Sequence, residues 1–196
     1  MVCGFDVVTQ GDQVRRRIGL VGQNAAVDEV LSARANLLLF GRLQGLSRRA
    51  AAARGEELLA RFDLVEAADQ PVSQYSGGMR RKTDLAVALL TEPEVLFVDE
   101  PTAGLDPVAR RSLWQALRDL VDQGRSVLLT TQYLEEADVL ADDVVILRDG
   151  KVLASGTSQD LKRLAGPPRT VTREPSLEEV YLRLHAEEPT GSETVE

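Results

Sequence analysis

At 196 residues with 43% hydrophobic content, the chain is long enough to bury one core and suits a single globular domain, and a formal charge of −8 argues against a nucleic-acid surface. One cysteine, Cys3, excludes an internal disulfide and fits a reducing compartment, while no apolar run approaches the roughly 20 residues needed to span a bilayer. The start, MVCGFDVVTQGDQ, has neither the basic residues nor the long apolar stretch of a leader, so the expectation is a soluble, cytoplasmic protein.

In chain order, residues 5–24 read as a short strand, a turn at Gly11-Asp12, a basic turn of helix and a second strand at 18–21. The triplet Arg15-Arg16-Arg17 reads as a solvated helical face. Residues 27–91 are helical in pattern, with an apolar stripe over 36–46 and Ser47 capping an alanine-rich helix that runs to about Phe62. The α/β alternation then returns: a strand at 95–98, a helix after Asp106-Pro107 and a strand at 126–131. In that helix Leu113, Leu117 and Leu120 recur at helical spacing, Pro107 suits the first position, Gly124 stops it, and Trp114 packs in the core. A helix at 134–140, a strand at 144–147, the turn Arg148-Asp149-Gly150 and a strand at 151–154 follow. After Gly166-Pro167-Pro168 the composition shifts. Ser176 and Glu179 form a capping box opening an amphipathic helix with Leu177, Val180, Tyr181 and Leu184 on one side. His185, the only histidine, sits near a polar tail and takes no role.

The densest information lies in residues 74–107, QYSGGMRRKTDLAVALLTEPEVLFVDEPTAGLDP. Val95-Leu96-Phe97-Val98 is continuously apolar, as a strand buried on both faces of a parallel sheet requires. Asp99 and Glu100 close it and Pro101 ends it. Adjacent carboxylates at the carboxyl end of such a strand suit a Mg²⁺ ligand beside a base for water. Ser76 is a good N-cap, Gly77-Gly78 allow a close backbone approach, and the helix reading from Met79 to Leu90 presents free N–H groups to an anion. Each fragment has a plain alternative, a helix-entry turn or a solvated acidic loop, but the linked series does not.

That series resembles the ATP-binding-cassette (ABC) ATPases. Gln74-Tyr75-Ser76-Gly77-Gly78-Met79 is similar to their signature motif, the strand ending in Asp99-Glu100 to their Walker B, and Gly104-Leu105-Asp106 to their D-loop. Ile18-Gly19-Leu20-Val21-Gly22-Gln23 resembles the Q-loop, and residues 126–131 resemble the strand leading to the switch position. The resemblance extends to about Leu184, and YSGGMRR with TTQYLEEAD looks most like the ATP-binding subunits of daunorubicin- and doxorubicin-resistance drug exporters. It implies an α/β P-loop NTPase core over residues 1–166 with a helical subdomain inserted at about 27–91. A small extension follows at 167–186, docking on its own subunit or on a dimer mate, and then a disordered tail at 187–196. It further implies ATP and Mg²⁺ as ligands, with Asp99 holding the metal through water, Glu100 polarising the attacking water, and Gln23 sensing metal and γ-phosphate. Ser76, Gly77 and Gly78 would complete the nucleotide site of an opposite subunit, and Asp106 would lie at that interface. The implied partners are a second copy in a homodimer and a separate integral membrane permease, with no nucleic acid, so the protein would sit peripherally on the inner face of the cell membrane.

Two departures qualify these expectations. Gln132 stands where most of the family has a histidine contacting the γ-phosphate; it can position and donate one hydrogen bond but cannot carry charge. The daunorubicin type resembles this chain in having Gln there. Second, no G-x-x-x-x-G-K-[ST] occurs: Gly150-Lys151 is the one Gly-Lys pair and reads as a hairpin turn. The expectation is therefore an ABC core lacking its N-terminal strand and phosphate loop, with an unpaired edge or gap in the sheet and weakened stability, and binding ATP negligibly alone. Two further readings stand beside the exporter ATPase. One is a non-catalytic module that lends its signature turn to an intact subunit; the other is a non-transport ABC ATPase of DNA repair or translation.

Overall fold

The computed structural model of the chain describes residues 1–23, 26–166 and 176–186. Three parallel strands form its centre: β1 (Ile18–Val21), β2 (Val95–Asp99) and β3 (Ser126–Thr130), in the order β1-β2-β3. Their register pairs Val21 with Val98 and Asp99 with Thr130, so the carboxyl ends of all three strands finish at one edge. Between β1 and β2 the chain builds α2 (Ala33–Leu43), α3 (Arg48–Arg61), a 3-10 turn at Val72–Gln74 and α4 (Gly77–Ala88). After β2 come α5 (Pro107–Asp122), β3, α6 (Leu134–Leu140), an antiparallel hairpin of β4 (Val144–Arg148) and β5 (Lys151–Gly156), α7 (Ser158–Arg163) and α8 (Leu177–Ala186).

The local chemistry that starts each element is visible. Ser32, Ser47, Ser76 and Thr157 each cap a helix by accepting an amide three residues on, and Asp106 caps α5 by accepting from both Val108 and Ala109 at 2.9 Å. Gly124, at φ +82°, closes α5 while the Arg125 amide reaches back to the Leu120 carbonyl. Asp149 and Gly150 both adopt positive φ, the requirement of a tight hairpin turn between right-twisted strands. Ser176 and Glu179 bond reciprocally, the expected capping box, at 2.7 and 3.2 Å.

A continuous apolar core runs from the helices into the sheet. Leu37, Leu58, Leu59, Phe62, Leu85 and Leu89 meet Leu96, Val98, Leu113, Leu117 and Leu120, all buried. The opposite face of the sheet is open. Leu20, Phe97 and Leu128 form one cross-strand row, with Leu20 69% and Leu128 51% exposed, and the outer edges of β1 and β3 pair with no other strand among the described residues.

Four local expectations change. No strand forms over residues 5–10. Val2 and Phe5 make an isolated bridge, and the Asp6 carboxylate instead takes the amides of Val8 and Thr9 at 2.9 and 2.8 Å, a local competitor to extended pairing. The turn read at Gly11-Asp12 is absorbed into α1 (Gly11–Arg15). Within the basic triplet, Arg15 and Arg16 are exposed, whereas Arg17 pairs with Glu94 and lies 4.9 Å over the Phe5 ring. Finally, α7 is an additional helix, for which the Thr157-x-x-Asp160 spacing is the sequence signal. Trp114 is buried as expected, and its indole N–H also donates to Glu136 at 2.9 Å. The tail at 187–196 and residues 167–175 lie outside the described residues. The helix α8 touches α5 through Arg110 and Glu178 at 3.8 Å, while Leu177 and Leu184 of its apolar stripe stay exposed.

Candidate functional site

The carboxyl edge of the sheet gathers the residues that the motifs single out. β1 and β2 run in parallel with Val21 beside Val98, and Gln23 and Glu100, each two residues past that pair, both line one cavity at this edge. The β2 and β3 register pairs Asp99 with Thr130, and Gln132 follows two residues later. The Gln132 side-chain amide donates to a Glu100 carboxylate oxygen at 3.4 Å, and the Thr130 hydroxyl donates to Asp99. Thus four predicted residues, Gln23, Asp99, Glu100 and Gln132, converge from three strands, and Thr130 joins them although no sequence signal marks it.

Glu100 adopts φ +44°, a left-handed conformation unusual for a residue with a Cβ and more so directly before proline. Such backbone strain costs on the order of 1–3 kcal/mol and persists only where the surroundings enforce it. Here the Glu100 amide bonds the Thr130 carbonyl at 2.9 Å, and the buried guanidinium of Arg81 bonds the carbonyls of Asp99, Glu100 and Pro101 at 2.9–3.0 Å. The same guanidinium takes the Gly22 carbonyl at 2.5 Å. Arg81 was hidden in the sequence by its polar neighbours Arg80 and Lys82; only helical periodicity from Ser76 could have turned it inward.

Ser76 caps α4 through the Met79 amide at 3.2 Å, and Gly77 and Gly78 form the first helical turn, so the helix begins two residues before the expected Met79. Ser76 and Gly77 are exposed and accessible to another molecule, whereas Gly78 is buried. A Cβ on Gly78 would fall 2.8 Å from the Ala109 Cβ, which explains the second glycine by close approach of α4 to the start of α5. Tyr75 anchors the turn from below, donating its hydroxyl to the Ala67 carbonyl at 2.6 Å. Asp106 stands close by as the cap of α5.

A cavity of about 280 Å³ opens between these parts, lined by Gln23, Gly77, Arg80, Glu100 and Leu105 among others. The segment carrying Gln23 is held on its far side: Asp84 accepts the Ala26 amide at 2.9 Å and the Val27 amide at 3.4 Å, and buried Asn36 exchanges hydrogen bonds with the Asp28 backbone at 2.8 and 2.9 Å. Burial pushes the Asp84 carboxyl above its usual range, opposed by those two amides and by Arg81. The folded chain thus holds this proton more tightly than the unfolded one. Stability from that difference is full below about pH 4, the ordinary aspartate range, and is lost as pH rises through the elevated value. Asp84→Asn removes the decline, so its urea midpoint relative to the unsubstituted chain should improve from pH 4 to pH 7. An offset that stays constant with pH would contradict the shift.

Chemically, Asp99 and the Gln23 amide offer oxygen donors of the kind Mg²⁺ prefers, and no cluster of three or more Asp, Glu, His or Cys occurs among the described residues. One protein carboxylate with water and phosphate oxygens completing the shell is the usual Mg²⁺ arrangement at phosphate sites, so these residues fit that ion. Glu100, whose carboxylate accepts the Gln132 amide, is chemically a group able to take up a proton.

A sequence model of the ABC transporter family matches residues 4–103. The chain belongs to this family. Among ABC relatives, a daunorubicin resistance ATP-binding protein of Streptomyces coeruleorubidus is 57% identical over 168 residues, covering 86% of this chain and 53% of the relative. A doxorubicin resistance ATP-binding protein of Mycobacterium tuberculosis is 49% identical over 166 residues, covering 85% and 50%. A solved ATP-binding subunit of an ABC transporter superposes with a TM-score of 0.69 at 31% identity, covering 93% of this chain and 74% of that one. The chain spans about half the length of the curated ABC relatives it matches. Its mixed α/β fold with a parallel sheet is that of the ABC ATPase core, and no helix among the described residues is long and apolar enough to cross a membrane.

Proposed function

We propose that this chain carries the water-activating and signature-bearing machinery of an ATP-hydrolysing subunit of a drug exporter. Closure and reopening of a head-to-tail dimer would drive transport by a separate membrane permease. The observation that carries the reading is the convergence of Gln23, Asp99, Glu100 and Gln132 on one sheet edge, with Gln132 bonded to Glu100 at 3.4 Å. In this reading Asp99 and Gln23 serve Mg²⁺, Glu100 takes the proton of the attacking water, and Gln132 holds the Glu100 carboxylate and the γ-phosphate end of the site. Ser76 and Gly77, exposed at the N-terminus of α4, meet the nucleotide of the opposite subunit, with Asp106 beside them. The protein then works at the inner face of the membrane through its permease. The resistance-type names of the relatives support drug export as the task.

A second reading keeps the signature turn and drops the chemistry: the chain lends Ser76-Gly77 to an intact subunit. It is favoured by the exposure of Ser76 and Gly77 at the start of α4, open to another molecule. A mixing experiment separates the two. With a phosphate-loop segment supplied by fusion, Ser76→Arg and Glu100→Gln each abolish hydrolysis alone. Mixing the two variants restores it, because one of the two composite sites in the mixed dimer is then intact. No recovery on mixing removes the shared-site dimer. Stimulation of an intact subunit that Glu100→Gln does not alter supports the second reading.

A further inference from the structure

A single buried cation joins stretches of backbone that lie far apart in sequence. Arg81, 9% exposed, sends Nη1 to the Gly22 carbonyl at 2.5 Å, Nη2 to the Asp99 and Glu100 carbonyls at 2.9 and 3.0 Å, and Nε to the Pro101 carbonyl at 3.0 Å. None of these four bonds goes to a carboxylate. One turn further along α4, Asp84 receives the amides of Ala26 and Val27. Positions i and i+3 share a helix face, so one face of α4 grips both ends of the segment that carries Gln23 and the whole turn that carries Glu100.

We propose that Arg81 is a positioning residue that sets Glu100 and Gln23 as one unit and couples both to the signature helix, with Asp84 fixing the far end of the Gln23 segment. The inference rests on Glu100 and Gln23 acting in hydrolysis as described above. The planar guanidinium suits the task because its donors lie in a fixed fork that can serve converging carbonyls at once, which a lysine ammonium cannot reproduce. It also supplies the enforcement that the left-handed Glu100 requires. Burial pulls the Arg81 guanidinium down from its usual range, and the carboxylates of Asp84, Asp99 and Glu136 oppose that, keeping the fork charged. Displacement of α4, whose first turn presents Ser76 and Gly77 outward, is then transmitted to Glu100 and Gln23 through a rigid side chain without an intervening loop.

Hydrogen exchange on the 196-residue chain tests the coupling without requiring activity. Arg81→Lys should raise exchange about tenfold or more at Gly22, Gln23, Ala26 and Val27 and at 99–105, leaving α2 and α3 unchanged. Asp84→Asn should raise it at Ala26 and Val27 alone. Unchanged exchange at 99–105, or a uniform rise that includes α2 and α3, overturns the proposal in favour of simple structural support. A second arm uses the chain with a phosphate-loop segment fused to it: Arg81→Lys should lower kcat about tenfold or more with KM for ATP little altered, as expected when a reacting group is misplaced but binding is not. If Glu100→Gln leaves turnover intact, the catalytic reading fails and the exchange arm still decides on Arg81. If Glu100→Gln abolishes turnover while Arg81→Lys leaves kcat unchanged, the positioning role is overturned.

Discussion

Glu100→Gln, in the chain supplied with a phosphate-loop segment, should lower ATP turnover by about a hundredfold or more while ATP still drives dimerisation. The substitution is nearly isosteric, so the left-handed turn, the amide bond to Thr130 and the Arg81 contacts on the backbone carbonyls all survive. What disappears is the capacity to accept a proton. General-base assistance contributes about 10²–10⁴-fold, which sets the expected loss. Binding should persist because Gln23, Asp99 and the exposed Ser76-Gly77 turn are untouched. Single-turnover hydrolysis together with light scattering separates the two effects. Turnover within a factor of a few of the unsubstituted protein would remove Glu100 from its role.

The second large effect concerns affinity. In P-loop NTPases a glycine-rich loop and its lysine cradle the β and γ phosphates, and the sequence contains no such motif. Charge-assisted hydrogen bonds contribute about 1.5–3 kcal/mol each, so the absence of roughly five removes about 7–15 kcal/mol. A dissociation constant near 100 μM corresponds to only about −5.5 kcal/mol. The 196-residue chain should therefore show no submillimolar ATP binding by calorimetry, and a fused phosphate-loop segment should restore it. Submillimolar binding by the unfused chain would show that the sheet edge holds the triphosphate by other contacts. The uncovered row of Leu20, Phe97 and Leu128 gives the experiment an internal control. A segment that packs there should raise the melting temperature even without nucleotide, through burial of apolar area.

Much of the architecture was legible because it rests on short-range rules. The Leu113, Leu117 and Leu120 spacing, the Pro107 start and the Gly124 stop locate α5, and Ser47 locates α3, since capping and periodicity act within a turn or two. The short strand expected within residues 5–10 does not form, because β-branched and aromatic residues cannot by themselves reveal whether a partner strand lies beside them, and Asp6 satisfies the amides locally instead. Asp106 illustrates a different limit. Its place in a D-loop-like motif points to an interface, while the structure shows it accepting two amides at the head of α5, a role any helix-capping aspartate fills.

By itself, the sequence determined the family and singled out the residues we propose for the chemistry: the order of Gln23, Ser76-Gly77-Gly78, Asp99-Glu100, Asp106 and Gln132, together with an apolar strand that ends in two carboxylates. Only the tertiary structure decided how those residues are held. Strand register, a non-local property, brings Gln132 to Glu100 and Thr130 to Asp99. Helix packing turns Arg81 and Asp84 inward, where a low-dielectric interior makes their backbone contacts strong and an unmet charge costly. A motif names atoms able to react, but the distances between them depend on pairings across tens of residues, which become visible once the chain has folded.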